Sequence, residues 1–133
     1  EVARSPKQVV IKLFGAMERN EKAAVANALD LVALIKTRDR DYALNLDELR
    51  EMRTPTVILD DLTGDGKTKS VWFSLQRVVG AEEIMGDTAY VEVSFVNKET
   101  GMQYYNKFGL HKIGEIWKIY SFKTPIDTSN ESR

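Results

Sequence analysis

Cysteine is absent from the sequence, and histidine occurs once among 133 residues. The lack of cysteine excludes disulfides, thiolate zinc sites and cysteine nucleophiles. Charge of neither sign is in excess, because 19 Lys and Arg residues meet 20 Asp and Glu residues, so nucleic acid is not an expected partner. Long apolar runs are also missing, and we therefore predict no integral membrane segment.

The composition that remains is typical of one soluble globular domain. Hydrophobic residues make up 43% of the chain and charged residues 29%, and a chain of this length can bury one core. The last segment, TPIDTSNESR, is polar throughout most of its length. We therefore predict a single domain over residues 1–123 and a polar C-terminal tail over residues 124–133.

The first part of the chain is predicted to be helical. Ser5 is followed by Pro6 and Gln8, which is the signature of a capped helix start with proline at its first position. Apolar residues then recur at helical spacing. Two more helices are predicted at 21–36 and at 45–53.

From residue 54 onward the apolar residues alternate, which predicts strands. The predicted strands are 54–61, 70–84, 88–96, 102–113 and 116–123. Short connectors separate the last four of them, and short connectors between alternating strands predict antiparallel hairpins.

The hairpin turns predict one consistent register. The expected pairs are Val78–Phe95, Gly80–Val93, Glu82–Val91, Ile84–Ala89, Phe95–Tyr104, Val93–Asn106, Val91–Phe108, Ala89–Leu110, Leu110–Ile119 and Lys112–Trp117. This register puts the apolar residues on one face, and a slip by one residue would break the agreement. The predicted fold class is α+β, with N-terminal helices packed on a curved antiparallel meander of four or more strands.

The stretches SPKQVVIKLFGAMERNEKAA, GDTAYVEVSFV and IGEIWKIYSF resemble the nuclear transport factor 2-like superfamily, and most of all its small bacterial extracytoplasmic members of uncharacterised function. The resemblance implies a helix pair in the mouth of a cone-like sheet. It also implies an extracytoplasmic location, whether periplasmic, secreted or lipid-anchored. The superfamily contains enzymes, ligand-binding cones and dimerising adaptors, so the fold does not choose a function.

The stretch DDLTGDGKTKS is similar to a calcium loop. Asp61, Thr63 and Asp65 offer oxygens at alternate positions, Gly66 allows a bend, and Lys67 could add its backbone carbonyl. The later positions lack the carboxylate that such loops use. The alternative is a turn in which Asp and Thr side chains bind their own backbone. Calcium is the one cofactor that the sequence suggests.

The inner face of the sheet is the predicted ligand pocket. Its predicted lining is Glu82, Val93, Tyr104, Asn106, Phe108 and Trp117. A carboxylate among apolar neighbours would have a raised pKa, so Glu82 is a candidate general base, with Tyr104 and Asn106 as candidate oxyanion donors. The alternative is that Glu82 lies in solvent near the sheet end, and a bulge near Gly80 would also move it outward.

The outer face of the sheet has a different character. His111 is predicted to lie there, opposite Lys118 and near Lys107, as a surface histidine without an orienting carboxylate. The same face is predicted to carry the aromatic residues Tyr90, Tyr105, Tyr120 and Phe122. Such a face could stack on a ligand or form a homodimer.

Three functions are compatible with these patterns. The first is a noncatalytic ligand-binding or accessory domain that holds a small apolar ligand or a protein partner. The second is a small isomerase- or lyase-type enzyme with a carboxylate base in the cone. The third is a calcium-stabilised structural domain. The absence of a convincing acid-base set favours the first.

Overall fold

The computed structural model describes residues 5–35 and 54–122. Its helices are α1 (Pro6–Glu18), α2 (Lys22–Ala28), α3 (Pro55–Leu62) and α4 (Lys67–Phe73), and its strands are β1 (Gln76–Met85), β2 (Thr88–Val96), β3 (Gln103–Ile113) and β4 (Ile116–Ser121). Residues 31–35 are also helical. The α+β class is confirmed, whereas the helix predicted at 45–53 and the tail at 124–133 lie outside the described residues. No helix in the described part of the chain is both long and apolar enough to span a membrane.

The four strands form one antiparallel sheet in the order β1-β2-β3-β4. All the register pairs predicted between β2 and β3 and between β3 and β4 are present. The inner face of β2 is fully apolar and fully buried at Ala89, Val91 and Val93. Because a shift by one residue would turn these side chains to solvent, burial fixes the register.

Between Gln76 and Val79, the register of β1 with β2 differs from the prediction. A bulge lies between Val79 and Glu82, so Val79 pairs with Val93, where the sequence predicted Gly80. For the same reason Phe95 pairs with Arg77, where the sequence predicted Val78. One extra residue on β1 shifts everything on the far side of the bulge by one position.

The strand predicted at 54–61 is wrong, since this segment forms α3. The Thr54 side chain accepts a hydrogen bond from the backbone N–H of Val57 at 3.2 Å, and Pro55 stands at the first helical position. Ile58 and Leu62, one helical turn apart, are completely buried. The β-branched residues resembled a strand, but the apolar spacing is helical. Residues 70–73 are likewise helical, as the end of α4.

The single helix predicted at 21–36 is also wrong, because the chain is extended at Leu29. Leu29 forms a parallel bridge with Ile119 on the edge strand β4, and the Asp30 N–H donates to the Ile119 carbonyl at 2.8 Å. The Asp30 carboxylate then accepts from the N–H of Ala33 at 3.2 Å, which caps the helical residues 31–35. The pairing of Leu29 with the edge strand β4 therefore ends α2.

Arg77 connects β1 to the end of α4. Its guanidinium lies 3.9 Å from the centre of the Phe73 ring and donates to the carbonyls of Trp72 at 3.0 Å and Leu75 at 2.8 Å. Burial lowers the pKa of the Arg77 guanidinium, and the charge of Glu18 opposes that change. Arginine nevertheless stays protonated at ordinary pH, so the charged guanidinium of Arg77 holds α4 against the sheet.

Candidate functional site

The space between α1, α4 and the inner face of the sheet is filled by aromatic side chains. The Trp72 ring stacks on Phe95 with centroids 5.3 Å apart, and it lies 5.6 Å from Phe108 and 5.2 Å from Phe122. Phe14 of α1 lies 5.8 Å from Trp72. Such edge and stacked pairs stabilise a packed core.

This packed core contains some residues that were predicted to line the pocket and one that was predicted to lie on the outer face. Val93 and Phe108 are completely buried within the core. Phe122 is 1% exposed, so its placement on the outer face is wrong. Strand β4 ends at Ser121, and a register shift between Gly109 and Leu110 precedes that end, so strict alternation no longer holds at Phe122.

Glu82, on β1, is exposed to solvent and lies beside the first turn of α1. Its Oε1 accepts a hydrogen bond from the backbone N–H of Lys7 at 2.9 Å, and the residue is exposed. An anion at this position satisfies a donor that the helix leaves unpaired and complements the helix dipole. The geometry therefore gives Glu82 a stabilising contact with α1 rather than an enclosed, apolar surrounding.

Tyr104 and Asn106, the proposed partners of Glu82, point to other groups. The Tyr104 hydroxyl lies 3.8 Å from the Met102 sulfur, and Tyr104 is 47% exposed. The Asn106 amide donates to the Phe122 carbonyl at 3.1 Å. Both residues lie on β3, whereas Glu82 lies on β1. Strand β2 separates the two, so β1 and β3 are about 10 Å apart across the sheet. The structure does not bring the three side chains into one constellation.

The calcium-like stretch connects two helices instead of two strands. Both carboxylate oxygens of Asp61 accept from Thr68, one from its N–H at 3.1 Å and one from its hydroxyl. The Thr63 hydroxyl donates to the Leu59 carbonyl at 2.7 Å. Lys67 begins α4. These contacts are those of a self-satisfied turn.

The remaining predicted ligand, Asp65, is exposed at the tip of that turn. Within residues 5–35 and 54–122 there is no group of three or more His, Cys, Asp or Glu residues arranged to hold a metal ion. The backbone packs closely at Gly66, where an added Cβ would lie 2.2 Å from the Asp61 carbonyl oxygen. Any larger residue would clash with this backbone, which explains the glycine at position 66.

His111 has the carboxylate partner that the sequence did not predict. Its Nε2 lies 2.6 Å from Asp30 Oδ2, and its ring stacks on Tyr120 with centroids 4.9 Å apart. Asp30 sits in the middle of a segment that the sequence predicted as continuous helix, so nothing in the local pattern placed it beside His111. The break after α2, which brings Asp30 to the sheet edge, creates the pair.

An open cleft of about 550 Å³ lies between α1, α2 and the start of β4. Its apolar lining residues are Val9, Ala16, Ala24, Ala28, Ile116 and Trp117. Its polar lining residues are Lys12, Arg19, Asn27 and Lys118. The volume falls within the range of about 300–1,000 Å³ that is typical of small-molecule sites.

The helices contribute one stripe each to this cleft. On α1 and its C-cap residue Arg19, the lining positions Val9, Lys12, Ala16 and Arg19 follow each other at spacings of three and four, and so lie on one side of the helix. Small side chains on α2 leave room between the helix and the sheet. The amino group of Lys118 donates to the Asn27 carbonyl and so connects β4 to α2.

Trp117 is the one residue of the predicted pocket that lines this cleft. The other lining residues were not predicted. The alternation of apolar and basic residues along one side of α1 is a signal in the sequence, but its meaning depends on where α2 and β4 lie. The β4 bridge to Leu29, which sets that position, is not visible in a linear pattern.

No protein-family model and no curated protein matches the sequence. Among solved structures, the chain is similar to a crystal structure from Campylobacter jejuni described as a "Putative NTF2-like transpeptidase". The two share 15% sequence identity with a TM-score of 0.48, and the match covers 90% of this chain and 100% of the other. Neither a family nor an activity follows from a likeness at this level.

Proposed function

We propose that this domain is a noncatalytic ligand-binding domain, and that its binding site is the cleft between α1, α2 and β4. The observation that carries the proposal is the cleft itself, with a volume of about 550 Å³. Its lining combines apolar surface with a few polar groups, the usual composition of a small-molecule site.

Packing elsewhere supports this choice of site. Trp72 and the phenylalanine rings around it occupy the inner side of the sheet, so a ligand there would have to displace core side chains. In the cleft the nearly buried side chains of Val9, Ala16 and Trp117 are already in place as an apolar floor. A preformed apolar surface binds a ligand without the cost of rearranging the core.

The noncatalytic part of the proposal rests on Glu82, Tyr104 and Asn106. Their separate hydrogen bonds give a base and two oxyanion donors no common reacting atom. Glu82 and Asn106 instead bind backbone groups, the N–H of Lys7 and the carbonyl of Phe122.

The neutral fluorescent probe N-phenyl-1-naphthylamine tests the proposal. We expect it to bind at one saturable site with an increase in its emission. Ala24→Leu places three more carbons on the cleft wall and should weaken probe binding at least about fivefold, because overpacking a contact surface costs about 1–3 kcal/mol.

Ala23→Leu is the matched control, because Ala23 is the neighbour of Ala24 on α2 and is exposed like Ala24, but it does not line the cleft. This variant should bind the probe as the unchanged protein does. Failure of the unchanged protein to bind the probe would refute the proposal, and equal binding by both variants would refute the cleft as the site.

A further inference from the structure

Within residues 5–35 and 54–122, the charged side chains that line the cleft all have the same sign. Lys12, Arg19 and Lys118 contribute three cations, and no Asp or Glu of these two ranges is among the lining residues. This differs from the chain as a whole, in which 19 basic and 20 acidic residues nearly cancel. A concave site with charges of one sign attracts ligands of the opposite sign.

The cations alternate with apolar surface instead of forming a separate patch. Lys12 and Arg19 are seven residues apart on the same side of α1, which corresponds to about 10.5 Å along the helix. Ala16 lies between them and Val9 lies beyond Lys12, and both are nearly buried. Both side chains are long, so both can reach one head group placed over Ala16, while the rest of the ligand covers the neighbouring apolar surface.

Arg19 and Lys118 each have a partner in the structure, and both can still bind an anion. Arg19 Nε lies 3.1 Å from Glu21 Oε1, with the two side chains 61% and 50% exposed. Exposed ion pairs of this kind are weak, so a ligand carboxylate can compete with Glu21. Lys118 donates to the Asn27 carbonyl, but a lysine amino group has three donors.

The kind of anion follows from what surrounds it. Helix N-termini and successive backbone N–H groups are the common phosphate-binding devices. The lining residues of α1 begin at Val9 and those of α2 at Ala24, whereas the two helices start at Pro6 and Lys22, so neither N-terminal residue lines the cleft. Lysine and arginine side chains bind carboxylates as well as phosphates, and arginine can bind a carboxylate through two parallel hydrogen bonds. The position of the two helix N-termini away from the lining therefore favours the carboxylate.

We propose that the ligand of this cleft is a single-chain amphiphile with a carboxylate head group, in which the chain covers the apolar floor and the carboxylate is bound by Lys12, Arg19 and Lys118. The inference rests on the proposed function and specifies its ligand class. It involves binding alone and requires no chemical step.

Isothermal titration calorimetry with three ten-carbon ligands tests the inference. Decanoate, 1-decanol and decylammonium share one chain and differ in the charge of the head group. We expect decanoate to bind at least about fivefold more tightly than 1-decanol, and decylammonium to bind more weakly than both, because a like charge opposes binding.

Two substitutions test the assignment of the head-group contacts. Lys12→Gln keeps most of the side-chain stem and should weaken decanoate binding about threefold to fivefold while leaving 1-decanol binding unchanged. Glu21→Gln removes the competitor of the ligand for Arg19 and should strengthen decanoate binding by about twofold to fivefold. Lys98→Gln, in the exposed turn between β2 and β3, removes the same charge away from the cleft and should change neither ligand.

The outcomes separate this inference from the proposed function. If 1-decanol and decanoate bind equally, the cleft is a binding site but the carboxylate inference is refuted. If decyl phosphate binds about tenfold more tightly than decanoate, the assigned head group is wrong. If none of these ligands binds and the naphthylamine probe also fails, the proposed function is refuted together with the inference.

Discussion

At the scale of single residues, Glu82 shows how a neighbour in space changes the meaning of a sequence position. A carboxylate in a strand facing apolar residues is a candidate base. The exposed Glu82 instead accepts the N–H of Lys7 at the start of α1. Stabilisation of a helix terminus accounts for the residue without any reaction.

Replacement of Glu82 by Ala tests that account. We expect Glu82→Ala to lower the free energy of unfolding by about 0.5–1 kcal/mol, because it removes an anion and an acceptor from the first turn of α1. Glu82→Gln keeps an acceptor and should cost less. Glu83→Ala, an exposed neighbour on the same strand, should stay within about 0.5 kcal/mol of the original protein. Urea denaturation measures all three, and equal losses for Glu82→Ala and Glu83→Ala would contradict the account.

Gly66 and Gly64 lie two positions apart in the same turn but have different requirements. An added Cβ at Gly66 would lie 2.3 Å from the Asp60 carbonyl oxygen, whereas at Gly64, with a φ of +56°, it would meet nothing within 4 Å. We expect Gly66→Ala to cost about 3 kcal/mol or more, since rigid backbone must move. Gly64→Ala should cost only about 1–2 kcal/mol, for the left-handed conformation. Thermal unfolding followed by circular dichroism distinguishes them, and the reverse order would show that the turn is packed differently.

At the scale of elements, the strands were predicted better than the helices. Alternation over β2, β3 and β4 has one solution that places the apolar residues Ala89, Val91, Val93, Phe108, Leu110 and Ile119 together on the buried face, so the registers of Val91 and Leu110 followed from the sequence. Pro55 stands at the first position of α3, but a proline also follows the end of a helix, so this residue alone does not predict that a helix begins there. The break at Leu29 depends on its bridge to Ile119, which is a long-range contact that no local pattern contains.

We expect Asp30 to hold residues 31–35 in position after α2. Because the Asp30 carboxylate both caps residues 31–35 and contacts His111, we expect Asp30→Ala to cost about 1 kcal/mol more than Asp30→Ser, which can keep the cap. A double-mutant cycle of Asp30→Ser with His111→Gln should give a coupling energy of about 0.5–1.5 kcal/mol.

A cycle that joins His111→Gln with Glu82→Gln is the control, because these residues share no contact in the structure. Its coupling should be zero within about 0.5 kcal/mol. A coupling energy near zero in the Asp30–His111 cycle would mean that the two side chains do not interact in solution.

At the scale of the whole molecule, the three functions suggested by the sequence differ in what would stabilise the fold. A calcium-stabilised domain would melt at a higher temperature when the ion is bound, because a ligand that binds only the folded state adds to its stability. The oxygens of Asp61 and Thr63 already have partners within the turn.

We therefore expect calcium to have no effect on stability. The Tm should be the same after chelation and in millimolar calcium, as measured by differential scanning calorimetry, with magnesium as the control ion. A rise in Tm with calcium alone would establish the loop as a site and favour the structural function.

The fold class followed from the sequence as a whole, but the candidate site did not. Trp117 was predicted to face a ligand because it alternates with buried neighbours, and it does line the cleft. Charged residues such as Lys12 and Arg19, outside the apolar stripe of an amphipathic helix, ordinarily face solvent. Only the placement of α2 and β4 opposite them turns that side into a concave surface.

The two tryptophans of the chain allow the most direct test of the central claim, that the cleft and not the interior of the sheet binds a ligand. In a ¹H–¹⁵N correlation spectrum each gives one indole signal, which Trp117→Phe assigns. Titration with decanoate should shift the signal of Trp117 in the cleft and leave that of Trp72, packed among phenylalanine rings, unchanged. A shift of Trp72 alone would place the ligand inside the sheet and contradict the account.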